Sequence, residues 1–176
     1  MTAELLVDRF ASLAGQQRLH DLTAMTLRHV ADLTGAAAGF FLLCREDGSV
    51  TMQETMGASP APIEWQASPE LVAGMAQLTH PVLLTSGPSS NGQNCAAGLE
   101  FLSRSRANVL VPLTSQSRLI ALVAVQTEKA LEPDLLSALE RMGTFAGDLI
   151  GHSIGAETVA DSLDAFCQSL GDLIDA

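Results

Sequence analysis

Two apolar runs about a polar turn dominate the hydrophobic pattern of this chain: Asn108-Val-Leu-Val-Pro-Leu113, then Thr114-Ser-Gln-Ser-Arg118, then Leu119-Ile-Ala-Leu-Val-Ala-Val125. Strands that are apolar at nearly every position are covered on both faces, so the pair predicts a hairpin set centrally in a sheet packed by helices. After it the period changes. An a, d, e stripe on a seven-residue repeat collects Leu135, Ala138, Leu139, Met142, Phe145, Ala146 and Leu149, and resumes at Ala156, Val159, Ala160, Leu163, Phe166, Cys167, Leu170, Leu173 and Ile174. Only His152 and Ser153 interrupt it, and no charge enters. A heptad held in phase over about six repeats marks a helix that packs along its length against other helices. One helix from Glu132 to Asp175 would be about 66 Å long, roughly twice the diameter of a small domain, and would overhang its own body. Its distal residues Leu163, Phe166, Leu170 and Leu173 would then need a partner helix to cover them. The competing geometry is a fold-back near Gly151 to Gly155; the register preserved across those glycines favours continuity.

Upstream, Ala3 to Leu33 reads as one helix or two, with Leu6, Phe10 and Leu13 on one face, a weak point at Gly15, and Gly35 as the stop. Ala38 to Arg45 predicts a strand, Glu46-Asp47-Gly48-Ser49 a hairpin turn, and Val50 to Thr55 a more polar return strand. Pro60 and Pro62 interrupt the chain. Ser68-Pro69 predicts the start of a helix running from Glu70 to Thr79, followed by a short strand from Val82 to Thr85. Ser86 to Asn94 is a loop rich in Ser, Gly and Asn, and a short helix fits Cys95 to Arg104. This order is α+β, with no internal repeat and no linker.

The length of 176 residues suits one globular domain with helical extensions, and the hydrophobic fraction of 47% supports a folded core. A formal net charge of −11 repels nucleic acid and anionic membrane surfaces. No window holds the ~18 unbroken apolar residues of a membrane span, and Glu4 and Asp8 stand where a secretory signal would be basic and then apolar. A cytoplasmic location is expected. The three cysteines, Cys44, Cys95 and Cys167, are an odd number in unlike segments, so reduced thiols are expected.

The segment ANVLVPLTSQSRLIALVAVQTEKALEPDLLSALERMGTFAGDLIGHSI resembles a GAF domain. Such domains show an apolar strand ending in Pro-Leu, a polar turn, a strand of the Ile-Gly-Val-Leu type, and a helix opened by an aromatic and acidic residues. Pro112-Leu113 matches, Ala121 stands where glycine is common, and Leu131-Glu132-Pro133-Asp134 replaces the helix opening. The likeness spans roughly Leu19 to Ile154. It implies a GAF-like, PAS/profilin-like antiparallel sheet of five or six strands, with terminal helices on one face and pocket-forming loops and short helices on the other. It also implies dimerisation through the terminal helices. The expected division is 1–34 for N-terminal dimerisation helices, 35–154 for a sensory domain, and 155–176 for a helical extension.

Candidate chemistry is sparse. Gly151-His152-Ser153-Ile154-Gly155 matches a serine-hydrolase elbow, but that elbow needs a strand before it and a helix after it, and here it lies inside the helical repeat. The GAF-type free methionine-R-sulfoxide reductase uses several loop cysteines, whereas only Cys95 lies in a loop; bilin attachment usually needs a following histidine, where this chain has Ala96. Cys44 and Cys167 suit the role of small buried hydrophobes. His20, His29, His80 and His152 show no metal-ligand spacing, and His80 before Pro81 is expected to cap a helix end. The Asn-Lys-x-Asp/Glu motif of cyclic-nucleotide GAF domains is not found. For a pocket, Trp65, Met75, Leu84, Cys95, Phe101 and Leu102 are the candidate apolar wall, and Ser86, Ser89, Ser90, Asn91 and Asn94 the polar contacts.

The sequence therefore predicts a regulatory module without enzymatic activity. It would sense a small molecule, with no cofactor indicated, and form a homodimer through Leu6, Phe10, Leu13, Leu135, Leu139, Met142, Phe145, Leu149, Leu163, Phe166 and Leu170. No nucleic acid, membrane or metal partner is expected, and any output domain would lie outside this chain. A non-binding dimerisation scaffold and the sulfoxide reductase are the alternatives.

Overall fold

The computed structural model describes residues 18–45, 47–57, 69–84 and 107–174, with side chains described for all of these except 69–72 and 157–174. The elements are α1 (Leu19–Thr34), β1 (Ala38–Cys44), β2 (Val50–Met56), α2 (Pro69–Ala76), β3 (Val82–Leu83), β4 (Val109–Ser115), β5 (Arg118–Gln126) and α3 (Pro133–Ile174). The strands form one antiparallel sheet in the order β2-β1-β5-β4-β3. The β4–β5 hairpin sits at its centre, as the two-sided apolar runs require. Phe41, Leu43, Val111, Leu113, Ala121, Val123 and Val125 bury one face against α1 and α3; Phe40, Leu42, Leu110, Leu122 and Ala124 bury the other with Met75 and Leu78.

Two irregularities shape the sheet. The β4–β5 register slips between Leu113 and Thr114, leaving Ile120 as an extra residue on β5; Leu119 then packs on one face while Ile120 and Ala121 both pack on the other. The chain reverses at Gln116 and Ser117, with φ of 49° and 64°, so the five-residue turn expected over Thr114 to Arg118 is a two-residue turn. Two consecutive positive φ values follow the right-handed twist of the strands, and the strands zip two residues further than polarity suggested.

Helix α1 ends where expected, at Gly35 with φ of 65°. Its buried threonines are satisfied locally: Thr26 Oγ1 donates to Leu22 O at 2.6 Å and Thr34 Oγ1 to Val30 O at 2.8 Å. The expected helix over Ala3 to Leu33 begins at Leu19 within the described residues; Leu6, Phe10 and Leu13 lie outside them. Helix α2 stops at Ala76 rather than Thr79, because Gln77 and Leu78 donate to Gly74 O and Met75 O in a tightened last turn and Pro81 draws the chain into an extended course. Of the strand expected at Val82 to Thr85, Val82 and Leu83 pair with Leu110 and Val109, Leu84 N donates to Asn108 O at 2.8 Å, and Thr85 lies outside the described residues.

Helix α3 is continuous for 42 residues, about 63 Å, so the fold-back is not adopted. Its sheet-facing side coincides only in part with the heptad stripe. Ala138, Leu139, Met142 and Ala146 of the stripe are buried, and with them Gly143, Gly147 and Ile150, which lie outside it, so the buried face is rotated from the stripe by less than the ~100° of one residue step. Leu139 and Met142, expected at a subunit interface, are fully buried inside their own protomer, because the sheet occupies that side of the helix. Leu135, Phe145 and Leu149 are only half-buried at its flank.

Glycine permits the approach of α3 to β4. A Cβ on Gly143 would stand 2.4 Å from Pro112 O, and one on Gly147 would stand 2.4 to 2.7 Å from the O, N and C of Thr114. Further along, Gly151 has room, its nearest neighbour being Ser115 at 3.4 Å, and Gly155 meets nothing within 4 Å. The tight contact therefore ends near Gly151, and the helix continues for about 20 more residues, roughly 30 Å.

A polar clasp closes the opposite end of the hairpin. Asn108 Nδ2 donates to Thr127 O at 2.6 Å and Asn108 Oδ1 accepts from Thr127 N at 2.9 Å. Thr127 Oγ1 donates to Thr34 O at 2.7 Å and accepts from Lys129 N at 3.1 Å. The start of β4, the end of β5 and the last turn of α1 are thereby joined.

Candidate functional site

Two clefts open among the described residues. One, of about 400 Å³, runs beside the short edge strand β3 between Leu78, His80, Pro81 and Leu136. His80 does not cap α2: its Nδ1 donates to Glu140 Oε1 on α3 at 2.8 Å, since the helix has already ended before it. Leu83 on the same edge is 44% exposed, and the cleft gathers no convergent set of polar side chains.

The other cleft, of about 340 Å³, lies on the sheet face away from α1 and α3. The ends of three strands and one helix build it. The β1–β2 hairpin contributes Cys44, Arg45, Gly48 and Val50; the β4–β5 turn contributes Ser117, Arg118 and Leu119; and the last turn of α2 contributes Met75 and Ala76. Its floor is apolar, with Val50 and Met75 buried and Leu119 half-buried, and its rim carries two guanidinium groups. An apolar lining with a few placed polar groups is the composition of a small-ligand site, and the volume lies at the lower end of the usual range.

Cys44 is inside this cleft, and burial pushes its thiol up to about 11. A thiol held protonated is a poor nucleophile and a poor metal ligand at neutral pH, so Cys44 acts as a small apolar wall. Asp47, at the exposed tip of the β1–β2 hairpin, is held below the ordinary carboxylate range by hydrogen bonds from Ser49, whose amide reaches Oδ1 at 2.8 Å, with a smaller contribution from Arg45.

Of the residues expected to form a pocket, Met75 lines this cleft and Leu84 packs on the same face of the sheet without lining it. Trp65, Ser86, Ser89, Ser90, Asn91, Asn94, Cys95, Phe101 and Leu102 lie outside the described residues. Arg45 and Arg118 escaped sequence reasoning. Each stands beside a turn, where a cation reads as solvated surface; only the pairing of β1 with β5 brings them to one place. The elbow-like segment Gly151 to Gly155 is helical throughout. His152 Nδ1 donates to Asp148 O at 2.6 Å, and Ser153 Oγ is buried with no hydrogen-bond partner among the described residues, so the segment is not a strand-to-helix nucleophile turn.

No helix among the described residues is long and apolar enough to cross a membrane. No protein-family profile matches the chain, and no curated protein does. Solved structures do. The GAF domain of an Acinetobacter phosphoenolpyruvate-protein phosphotransferase superimposes with a TM-score of 0.64 at 18% identity, covering 88% of this chain and 97% of that one. The GAF domain of the potassium sensor histidine kinase of Escherichia coli gives 0.60 at 15% identity, covering 90% and 99%. The photosensory core module of a Stigmatella aurantiaca phytochrome gives 0.65 at 15% identity, covering 92% of this chain and 38% of that one. At these identities the likeness is one of fold, and the fold is that of a GAF domain.

Proposed function

We propose that this GAF-fold chain is a small-molecule-sensing regulatory module that homodimerises through its terminal helices. One observation carries the reading: a single hairpin borders the cleft and also supports α3. Ser117, Arg118 and Leu119 wall the cleft, while Thr114 and Ser115, immediately before the turn, meet Gly147 and Gly151 of α3. A ligand seated against the turn acts on the strand that positions the helix. A shift in the helix follows if the ligand binds one arrangement of the hairpin better than another.

Support for pairing comes from the distal part of α3. Leu163, Phe166 and Leu170 keep the heptad phase on a helix that runs about 30 Å past its last close contact with the sheet, and the half-buried Leu135, Phe145 and Leu149 continue that seam. Leu139 and Met142 take no part, and Leu6, Phe10 and Leu13 would add the N-terminal helices. The GAF neighbours from a sensor kinase and a phytochrome are consistent with a regulatory setting.

Two measurements test the reading. Light scattering should give a dimer for the parent chain and a monomer for Leu163→Asp; an unchanged mass for the variant removes the pairing claim. A thermal-shift screen over cyclic nucleotides, nucleobases, amino acids and 2-oxoacids should find a stabilising compound, and no stabilisation above noise would favour a non-binding scaffold.

A further inference from the structure

Arg45 follows the last residue of β1 and Arg118 opens β5, and these strands are hydrogen-bonded neighbours in antiparallel register, with Leu43 opposite Ala121. That register brings two exposed arginines to the same end of the sheet, where both line the 340 Å³ cleft. No carboxylate lines it among the described residues, although the whole chain holds 20 acidic against 9 basic residues. Two features oppose an anion here. The carbonyl end of α2 carries up to about half a negative charge, and two of its carbonyls are already engaged by Gln77 and Leu78. Asp47 is close in sequence, but it accepts from Ser49 at the hairpin tip and is not part of the cleft wall.

Building on the sensing reading, we infer that this cleft takes a small amphipathic anion, a carboxylate or phosphate carried on an apolar body. Arg45 and Arg118 hold the head, and Val50, Met75 and Leu119 receive the body. Guanidinium suits this role because its planar fork matches the oxygens of either group, and an apolar floor beneath the charges lowers the competition from water.

The test uses the full chain and three probes of one shape at fixed ionic strength: benzoate, phenyl phosphate and neutral benzamide. Thermal unfolding and calorimetry should show saturable stabilisation by benzoate or phenyl phosphate and none by benzamide; comparing the two anions tells a carboxylate site from a phosphate site. Arg118→Gln and Arg45→Gln should each weaken anion binding at least tenfold in protein that still unfolds in one cooperative transition. Arg118→Lys, which keeps the charge and loses the fork, should fall between. The inference is overturned if neither anion stabilises beyond an equal concentration of sodium chloride, or if binding survives both substitutions. Stabilisation by benzamide that persists in both variants would overturn it while leaving the sensing reading intact.

Discussion

The contact of α3 on β4 makes a graded prediction, because four glycines at intervals of one turn face progressively more open space. Substituting alanine at each removes the same backbone freedom, which favours the helix by about 1 kcal/mol. What differs is the room for the methyl group. At Gly155 nothing lies within 4 Å, so Gly155→Ala should stabilise by about 0.4–1 kcal/mol. At Gly151 the nearest atoms are those of the Ser115 side chain at 3.4 Å, an ordinary contact, so Gly151→Ala should keep the same sign with a smaller gain. At Gly147 the methyl would meet three backbone atoms of Thr114 between 2.4 and 2.7 Å, and no rotamer change relieves a clash with backbone. The helix must lift by most of an ångström along a seam that includes Met142, Ala146 and Ile150. Overpacking of this kind costs about 1–3 kcal/mol, which outweighs the helix gain, so Gly147→Ala should be net destabilising by about 1 kcal/mol, equivalent to roughly 2–4 °C in a domain of this size. Gly143→Ala, with one close carbonyl at 2.4 Å, should fall between Gly151 and Gly147. Urea unfolding followed by circular dichroism gives the four midpoints, and two protein concentrations separate any effect on association. The reasoning fails if Gly147→Ala is as stable as the parent chain, or if Gly147→Ala and Gly155→Ala shift in the same direction.

Three further outcomes follow from local chemistry. Replacing Gln116-Ser117 by Asn-Gly should stabilise by about 1 kcal/mol, since both residues occupy positive φ that Asn and Gly adopt at lower cost; a lowered midpoint in urea would contradict the two-residue turn. Asn108→Ala strips partners from both the N–H and the C=O of Thr127 and should cost about 1–3 kcal/mol, with faster amide exchange at Thr127 as the local readout. In a variant lacking Cys95 and Cys167, Cys44 should react with iodoacetamide far more slowly than a free thiol at pH 8. Its pKa is raised from 9.0 to about 11, so the folded chain holds this proton more tightly than the unfolded one; the contribution is fully present below pH 9 and is lost as pH rises from 9 to 11. Rapid labelling at pH 8 would refute this.

Much of the sheet was legible because strands buried on both faces leave an unbroken apolar record, and because Gly35 and Gly48 mark positions with positive φ. The long helix was legible too, but its partner was not. An apolar position reads alike whether a second subunit or the chain's own sheet covers it, which is why Leu139 and Met142 were placed at the wrong surface. The glycines of the seam leave no such record. A glycine within a helix reads as a weak point, yet Gly143 and Gly147 are where the helix comes closest to its neighbour, and a missing side chain leaves no hydrophobic signal of that. Met75, expected in a pocket for its apolarity, lines the cleft, whereas Arg45 and Arg118 lie 73 positions apart in the sequence and reach the same cleft only through strand pairing. His80 was given the nearest helix end because Glu140, 60 residues away, could not be foreseen as its partner.

The glycine seam also bears on how a ligand in the cleft would be felt by the helix. A contact made through leucines can absorb a shift of a few tenths of an ångström by rotamer adjustment; one made between the backbone of Thr114 and the backbone of α3 at Gly147 has no such slack. On the proposed sensing reading, movement of the β4–β5 turn would be passed to the helix rather than dissipated. The magnitude decides how many contacts the ligand must make. Moving an equilibrium from 1:99 to 99:1 takes about 5.5 kcal/mol of differential affinity. A hydrogen bond to a charged group contributes about 1.5–3 kcal/mol, so one such bond cannot supply that difference, and two supply it only at the top of that range and only if both form in one arrangement and neither in the other. Arg45 sits beside the β1–β2 hairpin and Arg118 on the β4–β5 turn, so a single anion spanning both would fix the position of one hairpin relative to the other. The β4–β5 turn is one of the two bodies so fixed, and it is the one that carries α3.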